Sequence, residues 1–313
     1  MILAACAVLA GFGLLIYSAD RFVEGASAIA SHFGVSSLLI GVTVVGFGTS
    51  APEIFIALIA SLDGSASLAV GNAIGSNIAN IGMILGATAL MIAVPIPRES
   101  VRDEMLVLLG ATLLAMAVLL DGHLSLIDGM ILLAGFIGFV LWAIWQAKRQ
   151  PGDEEDLPEE MSTGRAWLTL FIAMLILIGS SRLLVWGATT IATGMGVSEL
   201  VIGLTIVAIG SSLPELAASL AAAKRGKPEM ALGNVIGSNI FNTLAVLCVP
   251  ALVASTALQP EVLMRDLPVM AAFTAALLFI VLRKKHLLSR TEGFLLMAAF
   301  VAYMVWLGLE RAA

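Results

Sequence analysis

The sequence predicts an all-α integral membrane protein in which ten transmembrane helices form two inverted five-helix repeats. Three observations point there. Hydrophobic residues make up 60% of the 313-residue chain and charged residues only 12%, a balance foreign to soluble domains. Ten apolar runs alternate with polar punctuation, and about 20 such residues suffice to cross a hydrocarbon core as a helix. Two motif blocks also recur at one fixed offset.

The apolar runs start near Ile2, Ser36, Ala66, Met105, Leu124, Ala166, Glu199, Met230, Asp266 and Gly293. The first could pass for a signal peptide, but it lacks a charged start. It continues through Asp20, Arg21 and Glu24 without a clear cleavage site, so it reads as a retained span. Cys6 and Cys248 sit in apolar runs, match no disulfide or metal spacing, and read as buried small residues. Much of the net charge of −6 comes from residues 152–160, GDEEDLPEE, which read as a solvated linker.

Residues 41–53 read GVTVVGFGTSAPE and residues 203–215 read GLTIVAIGSSLPE. Their offset, 203 less 41, is 162. Residues 68–80 (LAVGNAIGSNIAN) and 230–242 (MALGNVIGSNIFN) keep that offset without a gap, as do GVSSLLIG from Gly34 and GVSELVIG from Gly196. The expected organisation is a first repeat at 1–147, a short acidic linker at 148–165 and a second repeat at 166–313. Five spans per half is an odd number, so the second copy enters the membrane from the opposite side.

Basic residues test this topology independently. The loop at 62–67 has none, whereas its counterpart carries Lys224, Arg225 and Lys227. The positive-inside tendency therefore puts the first loop outside and the second in the cytoplasm. Arg98, Arg102, Lys148, Arg149, Arg165, Arg283, Lys284, Lys285 and Arg290 fall on the cytoplasmic side of the same scheme, and only Arg182, Arg265 and Arg311 fall outside it. Both termini are then external and the linker is cytoplasmic. Compact length and the lack of a targeting segment suggest a prokaryotic cytoplasmic membrane.

Of 22 acidic residues, Glu53 and Glu215 alone read as lying deep inside apolar runs. A carboxylate at membrane depth is costly, and its default reading is functional. Each follows a proline without an N–H, so the carbonyls of Gly48 and Gly210 lose their helical donors and the helices are expected to break there. Thr49 with Glu53, and Ser211 with Glu215, are four residues apart and share a helix face. Asn72, Ser76 and Asn80 form a polar stripe, repeated by Asn234, Ser238 and Asn242, whereas Gly71, Gly75, Gly233 and Gly237 suit close helix packing.

The inventory is all oxygen, with Ser50 and Ser212 adding hydroxyls beside Thr49 and Ser211. Such a set suits hard cations; His32, His123 and His286 lie in or near loops and no His or Cys cluster selects a softer metal. Two ionised carboxylates match one Ca²⁺ or two Na⁺, which suggests exchange. No HExxH, paired intramembrane aspartates or serine nucleophile arrangement is present, which argues against a membrane-embedded enzyme. Repeated broken helices favour alternating access over a continuous pore.

GTSAPE with GNAIGSNIAN, and GSSLPE with GNVIGSNIFN, resemble the α-1 and α-2 repeats of the cation/calcium exchanger superfamily, nearest to its compact prokaryotic calcium/sodium antiporters. The resemblance implies a core around clustered cation sites, with two long outer helices sliding past it. It implies Glu53 and Glu215 as central Ca²⁺ and Na⁺ ligands, and oxygens from Thr49 and Ser211. Ser76, Ser238, Asn80 and Asn242 match surrounding ligand positions, Gly46 and Ala208 match carbonyl donors, and Ser50 and Ser212 match neighbouring pocket positions. Some relatives, potassium-dependent exchangers among them, carry Asp where this chain has Asn242, which argues against potassium coupling.

The expected activity is a Na⁺/Ca²⁺ antiporter, the alternative being a Ca²⁺ or other divalent cation/H⁺ antiporter. Inorganic cations are its expected substrates and the bilayer its surroundings, with no soluble cofactor and no nucleic acid. A monomer is plausible.

Overall fold

The computed structural model describes residues 1–96, 98–149, 161–196, 208–283 and 286–312. These form helices α1 (Ile2–Phe33), α2 (Ser37–Leu62), α3 (Ala66–Met91), α4 (Arg98–Leu119), α5 (Leu126–Arg149), α6 (Thr163–Gly194), α7 (Ala208–Ser211), α8 (Leu213–Lys224), α9 (Pro228–Val253), α10 (Val262–Leu282) and α11 (Arg290–Ala312). Eight of the described helices are long and apolar enough to cross a membrane: α1, α2, α3, α5, α6, α9, α10 and α11. Helix α4 falls short because Arg102, Asp103 and Glu104 occupy its second turn. The seventh expected span begins outside the described residues, which resume at α7. Most of the expected linker also lies outside them.

Sequence sets the helix boundaries. The Ser36 hydroxyl accepts the Leu39 amide at 3.3 Å and opens α2. Gly34, at φ 60°, closes α1 in the left-handed conformation that only glycine adopts freely. Four long helices contain π turns among the described residues: Gly41–Val45 in α2, Asn80–Leu85 in α3, Asn242–Val246 in α9 and Val262–Asp266 in α10. Single π turns of this type re-aim side chains and recur at functional sites. The two that start at Asn80 and Asn242 are repeat equivalents.

Helices α3 and α9 are the centre of the molecule, with 78% and 83% of their most apolar windows buried, against 22% for α5 and α11. Large apolar side chains such as Phe55, Leu68, Phe279 and Leu295 point outward, as a lipid-facing surface requires. Glycines bring α2 and α9 into backbone contact: a Cβ on Gly237 would lie 2.1 Å from the Val42 carbonyl oxygen, and one on Gly233 2.2 Å from that of Leu38. The packing role expected for this pair therefore holds. Their counterparts Gly71 and Gly75 have no described residue within 4 Å of where a Cβ would stand.

Helices α1 and α6 pair along most of their length. Gly11 abuts Leu184, Gly25 abuts Ala166 and Leu170, and Gly187 abuts Ala4 and Val8. Rising numbers on one helix meet falling numbers on the other, so this pair runs antiparallel. Two short ladders join the halves, β1 (Val94–Pro95) with β4 (Leu287–Leu288) and β2 (His123–Leu124) with β3 (Thr256–Ala257). Both are two residues long, so the chain remains helical in class.

Three expectations are corrected. Cys6 is exposed on α1, because it lies on the outer face of that helix; only Cys248 is buried, its thiol 3.4 Å from the Gly129 carbonyl. Glu104 is a third buried carboxyl, 1% exposed, although its neighbours Arg102 and Asp103 suggest a helix end in water. Helix α2 runs unbroken through Pro52, since neighbouring helices hold its axis, whereas the second half does break, at Ser212 between α7 and α8.

Candidate cation site

Glu53 sits in the middle of α2 and Glu215 in the first turn of α8, 0% and 1% exposed. Their carboxyl groups are close enough to interact directly. All four oxygens are enclosed and accept no hydrogen bond from the described residues. Leaving such groups without compensation costs several kcal/mol each. No His, Cys, Asp or Glu cluster of three or more exists among the described residues. The pair is thus the local anionic feature, set among neutral oxygens.

Thr49, one turn before Glu53, has its hydroxyl 3.1 Å from the Val45 carbonyl, 3.2 Å from Asn234 Oδ1 and 3.3 Å from Ser238 Oγ. Asn234 Nδ2 donates to Ser219 Oγ at 2.9 Å and to the Glu215 carbonyl at 3.2 Å. One residue therefore ties both glutamate-bearing segments to α9. Close approach lets this happen: a Cβ on Gly46 would stand 3.1 Å from the Ser238 backbone nitrogen.

The hydroxyls of Ser50 and Ser212 are buried and have no hydrogen-bond partner among the described residues, and the same holds for Asn80 Oδ1 and both polar side-chain atoms of Asn242. Ser76 and Ser238 are buried on the same two central helices. Ser211 lines a cavity of about 270 Å³ that also touches Pro52, Ile56, Ile178, Arg182 and Pro214, so it reaches the residues preceding both glutamates. Ala208 opens α7; Gly46 follows the π turn of α2. The structure thus gathers the side chains singled out by sequence onto α2, α3, α7–α8 and α9. The Gly210 carbonyl departs from expectation: although Pro214 deprives it of a helical donor, it accepts the Ser181 hydroxyl at 2.9 Å.

Asn77 and Asn239 were missed as members of this network. Asn77 Nδ2 donates to Thr243 Oγ1 at 2.8 Å, Asn80 Nδ2 to Asn239 Oδ1 at 2.9 Å, and Asn239 Nδ2 to the Asn77 carbonyl at 3.3 Å. Their signal was present: both asparagines stand at equivalent places in the repeated GSN.

A family model described as sodium/calcium exchanger protein matches residues 3–145 and 165–309. The putative antiporter CaxA of Alkalimonas amylolytica is 44% identical over 97% of this chain and 98% of its own length. The sodium/calcium exchanger MaX1 of Methanosarcina acetivorans is 29% identical over 95% of this chain and 96% of its own. Among solved structures, the sodium-calcium exchanger NCX_Mj superposes with a TM-score of 0.85 and 36% identity, covering 98% of this chain and 99% of that one. Matched over nearly all of both halves, the chain belongs to the sodium/calcium exchanger protein family.

Proposed function

We propose that the protein is a secondary antiporter that moves Ca²⁺ against Na⁺ by alternating access, with Glu53 and Glu215 as the charged ligands. One observation carries this reading: two repeat-equivalent carboxyls lie close to each other in the interior, with no hydrogen-bond donor and no basic partner for them among the described residues. A pair so placed needs positive charge between its members. Ca²⁺ takes six to eight oxygens, and the surroundings supply neutral ones: Thr49, Ser50, Ser76 and Asn80 from the first half, Ser211, Ser212, Ser238 and Asn242 from the second. The backbone carbonyls of Gly46 and Ala208 complete the proposed set.

The full architecture belongs to the same proposal: ten spans, in halves 1–147 and 166–313 of opposite orientation, with residues 148–165 joining them in the cytoplasm. The antiparallel pairing of the equivalent helices α1 and α6 supports the inversion. If the empty, doubly charged site crosses the closed intermediate slowly, only loaded states change sides and the two cations must exchange.

A second reading, exchange of a divalent cation against H⁺, draws on the same pair, because two adjacent carboxyls with no basic neighbour among the described residues can hold a proton in place of a metal. Uptake of ⁴⁵Ca²⁺ into Na⁺-loaded proteoliposomes, with Na⁺ and H⁺ gradients imposed separately, decides between them. Uptake that follows the Na⁺ gradient and vanishes in Glu53→Gln and Glu215→Gln supports the proposal. Uptake driven by H⁺ alone favours the second reading, and activity that survives both substitutions removes the site.

A further inference from the structure

The register of the repeat extends into α1 and α6. Residues 18–30 read SADRFVEGASAIA and residues 180–192 read SSRLLVWGATTIA, again 162 apart. Asp20 is therefore the equivalent of Arg182. The same offset makes Asp63 the equivalent of Arg225, and the backbone agrees. Asp63 ends α2 at φ −79°, ψ 4° and Arg225 ends α8 at φ −79°, ψ 5°; each is followed by a left-handed glycine, Gly64 at φ 79° and Gly226 at φ 76°. The two residues occupy the same corner of one turn.

The charges at these four positions are exchanged between the halves, so that both pairs attract. Only one pair is formed. Arg225 grips Asp20 with two parallel bonds, Nε to Oδ1 at 2.7 Å and Nη2 to Oδ2 at 2.8 Å, and reaches Glu24 at 3.3 Å. Asp63 and Arg182 are both exposed and form no ion pair with any described residue.

Packing is asymmetric in the same sense. Helix α1 lies closely along α8, with Phe22 and Ala26 in one buried cluster with Ala218 and Ala222, whereas α6 touches α2 sparingly. Ile56, the equivalent of Ala218, lines the cavity that separates α2 from α6, and so does Arg182.

We propose that Asp20–Arg225 and Arg182–Asp63 are alternate latches, of which the second closes when the first opens and α6 moves onto α2 as α1 now lies on α8. The proposal rests on the alternating-access reading above. In an inverted repeat the two end states differ by exchange of conformation between the halves, so a contact made in one half here belongs to its equivalent in the other state. None of the four charges belongs to the proposed ligand set, although Arg182 lines the cavity that Ser211 also lines; their part is to position the moving helices. The first latch has an extra carboxylate, Glu24, where the second has Trp186. The conformation with the first latch closed is thereby favoured.

The test uses Na⁺-driven ⁴⁵Ca²⁺ uptake in proteoliposomes of the full chain. Arg182→Glu and Asp63→Lys should each slow exchange roughly threefold or more, since each turns attraction into repulsion. Combined, they should restore it, an outcome that a merely structural or cation-steering role does not give. In a Cys6→Ser background, Asp63→Cys with Arg182→Cys should be cross-linked under turnover by an added bifunctional methanethiosulfonate, a sulfinate leaving as each mixed disulfide forms; exchange should stop, and a reductant should restore it. Normal exchange in both single variants, or active exchange with no cross-link, overturns the latch while leaving the exchange reading intact. Absence of cation-driven uptake by the unaltered protein removes the exchange reading and the latch with it.

Discussion

The two glutamate-bearing segments share a motif but not a local structure. In the first half, helix α2 passes straight through Pro52, pressed against α9 by Gly41, Gly233 and Gly237, and its Thr49 hydroxyl reaches Asn234 and Ser238. In the second half the chain breaks at Ser212, and the Gly210 carbonyl is taken by Ser181 of α6. The equivalent of Ser181 is Ala19, which has no hydroxyl to offer Gly48. Proline removes the same donor in both places; the neighbours decide whether the helix axis survives. Near-identical motifs therefore report composition of the site faithfully and its conformation poorly.

The largest expected effect tests whether the halves are equal where the charge lies. Glu53→Gln and Glu215→Gln should each lower Ca²⁺-dependent exchange by more than the ~10–100-fold typical of losing a partner of a metal ligand, with the fold retained by circular dichroism. If only one of them does so, the carboxyls are not a pair. Next comes close packing: Gly237→Ala sets a methyl 2.1 Å from the Val42 carbonyl oxygen, so a loss of about 1–3 kcal/mol is expected. Lowered thermal stability in detergent would show it.

Asparagine substitutions sharpen the contrast further. Asn234→Ala strips partners from Thr49 and Ser219 and should cost about 1–3 kcal/mol. Asn72→Ala, at the equivalent position, should cost less, because Asn72 Nδ2 has no partner among the described residues. Equal losses in a thermal melt would contradict the asymmetry. The smallest effect is expected for Ser181→Ala, about 0.5–1.5 kcal/mol, as the Gly210 carbonyl loses its hydroxyl. Amide hydrogen exchange around residues 210–214 should rise in that variant and stay unchanged around residues 48–52.

Sequence exposed what depends on periodicity and on the cost of burial. Glu53 and Glu215 announce themselves because carboxylates interrupt apolar runs at one offset, and Gly233 and Gly237 because their spacing fits a packing face. What depends on tertiary partners stayed hidden. Glu104 sits beside Arg102 and Asp103 in sequence, yet folding encloses it. Ser181 meets Gly210 from 29 residues away, and nothing local marks that encounter. Asn77 and Asn239 lie one residue off the four-residue polar stripe, so a face-by-face reading passes over them although they bridge the halves.

Those bridges bear on how the molecule is made. Thr49, Asn77 and Asn80 find their partners 159 to 189 residues further along the chain, and both β ladders join strands from opposite halves. At about 5–20 residues per second, ribosomes need on the order of ten seconds or more to add the second half after the first. During that interval the nascent helices would hold Glu53 and their asparagines in the bilayer without Glu215 or helix α9 beside them. Assembly of the core is thus a late event, and the separately expressed halves should associate when produced together and be degraded when produced alone.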